Sequence, residues 1–189
     1  FPYPGVHHPV IFSNDSYAYV VTGSDTRNMY RYHKDTDSWT QLADFPGGDR
    51  GYAYGVSDGD KAYMGFGSNS MGQYPTDWWE YDMLNNNWTQ LASFPSSGRD
   101  HPAMVLVNNK IYVGWGSDNN GNLNDWWEYD IPSNTWIQRP NLPANERHHP
   151  FYFSIGGYAY VGFGHGSTSG PGSNPSSNSY IYNDFYFNN

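Results

Sequence analysis

A Pro-containing turn recurs four times in this chain, at Phe1-Pro2, Phe45-Pro46, Phe94-Pro95 and Leu142-Pro143, and each opens a unit that reads strand-like to the next turn. The starts are 44, 49 and 48 residues apart, and 48 residues run from Leu142 to Asn189. A period of about 40 to 50 residues is the mark of a propeller blade or a solenoid unit. Units this short cannot bury enough apolar surface to fold separately. The expected organisation is therefore one domain, residues 1–189, made of repeats 1–44, 45–93, 94–141 and 142–189. The chain begins on a repeat boundary and holds four units with almost nothing left over.

Composition narrows the class. Aromatic residues make up 19% of the chain, charged residues 14%, and 21 Gly and 13 Pro punctuate it. Broad rings pack well on pleated, half-buried surfaces. No sustained apolar period of 3.6 residues is present, so the expectation is all-β. A net charge of −9 argues against nucleic acid and anionic membrane surfaces as partners. No apolar run is long enough for a membrane-spanning helix. Cysteine is absent, which removes disulfides, thiolate metal sites and cysteine nucleophiles. Scarce basic residues amid abundant Asn, Ser, Thr, Tyr and Gly fit an extracellular or cell-surface protein.

The third repeat reads most clearly as four strands. Residues 100–107 form the first, Asn108-Asn109 a tight turn, and residues 110–116 the second. A polar loop, residues 117–124, leads to the third strand over 125–130, and Pro132-Ser133-Asn134 turns the chain into an outer strand over 135–138. The other repeats follow the same scheme. Their Gly-x-Gly elements, Gly65-Phe66-Gly67 among them, suit close approach of neighbouring blades. The fourth repeat stops at Phe187-Asn188-Asn189, where its siblings continue into a Trp-bearing outer strand. It spends its length instead on a Gly/Ser/Pro/Asn run over 167–179.

Arg after the turn, Tyr-Val-Gly-x-Gly, Asn-Asp-Trp-Trp-Glu-Tyr-Asp, Asn-Thr-Trp and Leu-Pro together resemble the kelch repeat, in the variety found in exported bacterial proteins. The resemblance covers essentially the whole chain and implies a four-bladed kelch-type β-propeller of four-stranded antiparallel blades, the last one incomplete. Two features depart from the family pattern: Gly-x-Gly stands for the usual Gly-Gly, and four units stand for the usual six or seven. Kelch-type copper oxidases need a Tyr–Cys cross-link, which this chain cannot make.

Three constellations are candidates for chemistry. His8, His101 and His149 share one register, with Tyr52 in the second repeat, and three converging imidazoles would suit Zn²⁺ or Cu²⁺. The competing role is structural, hydrogen bonding at the strand starts beside Arg50, Arg99 and Arg147. Asp118, Asn120 and Asn122 alternate as in a Ca²⁺ loop but lack the later bidentate Glu. The doublets Trp78-Trp79 and Trp126-Trp127 suit packing between blades rather than sugar stacking. Asp77, Glu80, Asp82 and Asp125, Glu128, Asp130 recur in register, as structural residues do. No nucleophile elbow, phosphate loop or zinc-protease motif is present. Asn14-Asp15-Ser16 and Asn87-Trp88-Thr89 match the glycosylation triplet.

The functional expectation is a non-enzymatic secreted or surface module for structural assembly or adhesion, self-associating into filaments through the open edge of the last blade. A glycan-binding propeller is the alternative, and a sugar-active enzyme the third reading.

Overall fold

The computed structural model describes residues 1–166, 180–181 and 185–188. These are all-β, with no helix among the described residues. They fall into two compact units, Phe1–Gly98 and Arg99–Asn189.

In the first unit, strands β1 (Val10–Ser13), β2 (Tyr17–Val21), β3 (Met29–His33) and β4 (Ser38–Gln41) form one antiparallel sheet in sequence order. Strands β5 (Tyr54–Asp58), β6 (Lys61–Gly65), β7 (Trp78–Asp82) and β8 (Asn87–Gln90) form a second. Val10, Phe12, Tyr19, Val21 and Met29 of the first sheet are buried in one cluster with Ala62, Met64, Tyr81 and Met83 of the second repeat.

In the second unit, β9 (Ala103–Val107), β10 (Lys110–Gly114), β13 (Trp126–Asp130) and β14 (Thr135–Arg139) repeat that order. Between β10 and β13 lies a small hairpin, β11 (Ser117–Asp118) and β12 (Gly121–Asn122). The last sheet has three strands among the described residues: β15 (Phe151–Ile155), β16 (Tyr158–Gly162) and β19 (Phe185–Asn188). A two-residue pair, β17 (His165–Gly166) and β18 (Tyr180–Ile181), accompanies it. Ala103, Val105, Val107 and Trp126 bury themselves against Ala159 and Val161, with Tyr152 and Tyr186 at the margin. The expected loop over 167–179 lies outside the described residues.

Each complete sheet closes its last hairpin the same way. Asp37, Asn86 and Asn134 take positive φ of 47°, 52° and 52°, a conformation that Asn and Asp tolerate best among residues with a side chain. Their side-chain oxygens accept a hydrogen bond from Tyr32, Tyr81 and Tyr129, five residues earlier. The Trp two residues later then packs on the same Tyr, with ring centroids 5.1, 4.7 and 4.9 Å apart.

The Gly-x-Gly elements act within a repeat, not between blades as the sequence suggested. Gly65 is paired with Trp78 across the β6–β7 ladder, and a Cβ there would lie 2.8 Å from the indole. The middle residues, Phe66, Trp115 and Phe163, leave the strand at φ of 64°, 57° and 56°. Such φ values strain bulky side chains and persist only where surrounding contacts fix them. The second strands therefore end two residues earlier than the apolar run implies.

Buried arginines tie this bend down. Arg50 donates to Phe66 O at 3.2 Å and to both Asp77 carboxylate oxygens at 2.7 Å. Arg99 donates to Trp115 O at 3.0 Å and, bidentate, to Asp125 at 2.5 and 2.9 Å. Trp79 and Trp127 Nε1 complete each network on the same carboxylates. The first repeat replaces the set at once, carrying Val6, Asn28 and Tyr30 where the second and third have Arg, Asp and Trp. A buried charge without its partner is costly, so the Arg and Asp are kept or replaced together.

Candidate functional site

The strand-start register predicted from sequence is real in the backbone. His8, Tyr52, His101 and His149 all take positive φ, between 48° and 57°. In the first unit, His8 packs on His7 and Tyr52, with centroids 4.1 and 4.8 Å away. In the second unit, His101 and His149 stack at 3.5 Å with a 36° tilt. His148 and His165, which sequence reading did not include in the metal trio, join them at 5.1–6.1 Å. Their signal was visible: Ser24, Ser68 and Ser117 follow Gly-x-Gly or its equivalent in the first three repeats, whereas His165 stands there in the fourth.

Two backbone hydrogen bonds join His148 to His165, and His148 Nδ1 meets Asn122 Oδ1 at 2.8 Å. Burial and the neighbouring His101 and His165 push the His148 imidazole below its ordinary pKa, against the pull of Asp100. Burial alone would raise Asp100, but hydrogen bonds from His101 and Ser117 outweigh it and hold the carboxyl below its usual range. Asp100 thus stays charged, and His148 favours the neutral form.

The polar loop holding Asp118, Asn120 and Asn122 is the β11–β12 hairpin. Asp118 Oδ1 accepts the Asn120 N–H at 2.7 Å, and Asn122 Oδ1 faces His148. Among the described residues, no group of three or more His, Asp or Glu is placed to hold a metal ion.

The acidic residues repeated on the third strands are held by cations, except Asp130, which accepts hydrogen bonds from Ser133. Lys61 bridges Glu80 and Asp82 at 2.9 and 2.8 Å. In the third repeat Glu128 is buried between Lys110 and Arg139, with Arg139 at 2.7 and 2.9 Å. Burial pushes the Glu128 carboxyl up, yet hydrogen bonds from Lys110, Arg139 and Tyr112 more than reverse this.

That triad lines a cleft of about 670 Å³ between the third and fourth sheets, closed on its other sides by Leu142, Pro143, Gly157 and Ala159. The outward face of the last sheet is a second exposed region. Phe151, Phe153 and Ile155 of β15 are 72%, 50% and 62% exposed. Beside them, Tyr158 and Tyr160 pair opposite Ile155 and Phe153. A hollow of about 670 Å³ runs along Phe151, Phe153 and Phe163 to His149 and His165. Sequence reading passed over both regions. An alternating Phe-Tyr-Phe strand reads as core until its neighbour is known.

Residues 98–143 match the Kelch motif family model. No curated protein matches the chain. Among 217 matching solved chains, one described as "Structure of YjhT" superimposes with a TM-score of 0.74 at 16% identity. The likeness covers 88% of this chain and 61% of that one, so the chain spans less than two thirds of its neighbour's length. Motif, sheet order and structural likeness agree: the fold is a kelch-type β-propeller of about four blades.

Proposed function

We propose that this chain is a non-enzymatic interaction module that assembles with further copies through its last blade. The observation that carries the reading is the exposed Phe151–Phe153–Ile155 face. By repeat position these residues match Ala103, Val105 and Val107, which are buried under the following sheet, and Val10 and Phe12 of the first blade are buried likewise. A contiguous uncovered apolar face on a stable fold marks an interaction surface.

The face that receives Ala103, Val105 and Val107 is made of Tyr152, Ala159 and Val161. Its counterparts in the first blade are Ile11, Ala18 and Val20, of which Ile11 is exposed and the others half-exposed. A second copy would supply that matching surface, giving a head-to-tail contact that propagates where it does not close. The composition supports an extracellular or cell-surface setting for such an array. The acidic residues of the third strands recur in register and serve mainly ion pairs, which favours a structural role over catalysis.

Site-specific incorporation of a photo-crosslinking phenylalanine at Phe153 tests the reading. Irradiation should produce a covalent dimer whose linked peptide contains Ile11 or Val20. Cross-links confined to solvent, with no polypeptide adduct at high concentration, would refute it.

A further inference from the structure

Asn120-Gly121 is the only Asn-Gly pair in the sequence, and the fold sets it at the exposed tip of the β11–β12 hairpin. Asp118 Oδ1 accepts the Asn120 N–H at 2.7 Å, a local bond that turns the chain. Gly121 then takes φ of 124°, a conformation open to glycine and strained for other residues. Beyond its chain neighbours, no described atom lies within 4 Å of the point a Cβ would occupy there.

Below the tip the surroundings close in. Ser117 pairs with Asn122, and the Leu123 N–H donates to Gly116 O at 2.9 Å. The Leu123 carbonyl accepts from Arg147 N at 3.3 Å, and Asn122 Oδ1 meets His148 Nδ1 at 2.8 Å. An open tip and the histidine cluster are thus joined by one short ladder inside the second unit.

We propose that Asn120 is a site of spontaneous amide loss, and that its isoaspartyl product releases Asn122 from His148. The Gly121 backbone nitrogen attacks Asn120 Cγ. The new N–Cγ bond forms as the Cγ–Nδ2 bond breaks, and the Gly121 proton leaves with the departing nitrogen as ammonia. Water then opens the cyclic imide at either carbonyl, giving aspartate or isoaspartate with no change of oxidation state. The step needs a nitrogen that no neighbouring side chain crowds, and Gly121 supplies it. Asn119 and Asn122 precede Asn120 and Leu123, whose side chains stand in the way of the same attack.

Release follows from register. In the isoaspartyl form the chain runs through the former side-chain carbon, which adds one backbone atom before Gly121. The ladder has only the pairs Asp118–Gly121 and Ser117–Asn122, so no further rungs hold Asn122 in place against the shift.

The 189-residue chain and a free peptide of residues 117–124 are aged side by side at mildly alkaline pH and followed by peptide mass mapping. Isoaspartate is scored by enzymatic carboxyl methylation. In the protein, residue 120 should exchange NH₂ for OH ahead of every other asparagine, and the aged chain should lose hydrogen-exchange protection at Leu123. Asn120→Gln should abolish both changes, because its longer side chain must close a larger ring. Asn120→Asp, freshly prepared, carries the charge without the extra backbone atom and should keep Leu123 protected. An amide at residue 120 that persists after the free peptide has converted overturns the site. Conversion that leaves Leu123 as protected as in fresh protein overturns the release.

Discussion

The joint between the first and second sheets and the joint between the third and fourth use the same repeat positions, yet one is sealed and the other is open. Phe45 is covered on its outer side by Trp88, whereas Leu142 borders a cleft. Both joints share an interior of β1- or β9-type strands packed on the next sheet's Ala and Val or Met. The inner strands therefore hold neighbouring blades together, and the outer strand seals the margin.

The largest effects should fall on features common to both units. Asp125→Ala strands the buried Arg99 guanidinium and should cost about 3–5 kcal/mol in denaturant unfolding. Asp77→Ala should cost a similar amount in the first unit through Arg50. Replacing the third-repeat set as the first repeat does, with Arg99→Val, Asp125→Asn and Trp127→Tyr together, should recover much of the loss. No recovery would mean that the first repeat tolerates its substitutions for another reason.

The comparison itself is sharpened by Phe45→Ala and Leu142→Ala. The first empties a sealed joint and should cost about 3 kcal/mol or more. The second trims a half-exposed wall and should cost less than about 1 kcal/mol. Equal losses would break the distinction between the joints.

A smaller, pH-dependent difference should separate the units. The folded-state pKa of His148 lies below its ordinary value of 6.5, so the unfolded chain binds the extra proton first. Stability is then fully present above pH 6.5 and falls as pH drops toward the folded-state value. Asp100 and Glu128, also depressed, add a further loss below their ordinary values of 3.8 and 4.5. His148→Asn should flatten the first of these windows in unfolding melts from pH 7.5 to 5. An unchanged slope would remove His148 as its source.

Much of the fold was legible because period, turns and strand patterns agree with one another. Strand boundaries were right to within a few residues, and the errors at the second-strand ends had a single cause. Trp115-Gly116 and its counterparts continue an apolar run but leave the strand in a left-handed bend, which hydrophobic pattern cannot register. Strand alternation put the two rings of each Trp doublet on opposite faces; Trp78 and Trp126 are the buried ones, and Trp79 and Trp127 are half-buried. The exposed face of β15 was not legible, because exposure depends on which sheet lies opposite. Nor was the histidine cluster legible in full: His165 is brought to His148 by a bridge between a strand start and the residue after a distant Gly-x-Gly.

Sedimentation velocity over a wide concentration range, on the wild-type chain and on Phe153→Lys, tests the central claim most directly. Wild type should sediment faster as concentration rises, and Phe153→Lys should remain at the monomer value with an unchanged melting profile. A wild-type chain that stays monomeric throughout, or a variant that associates equally well, would contradict assembly through the last blade.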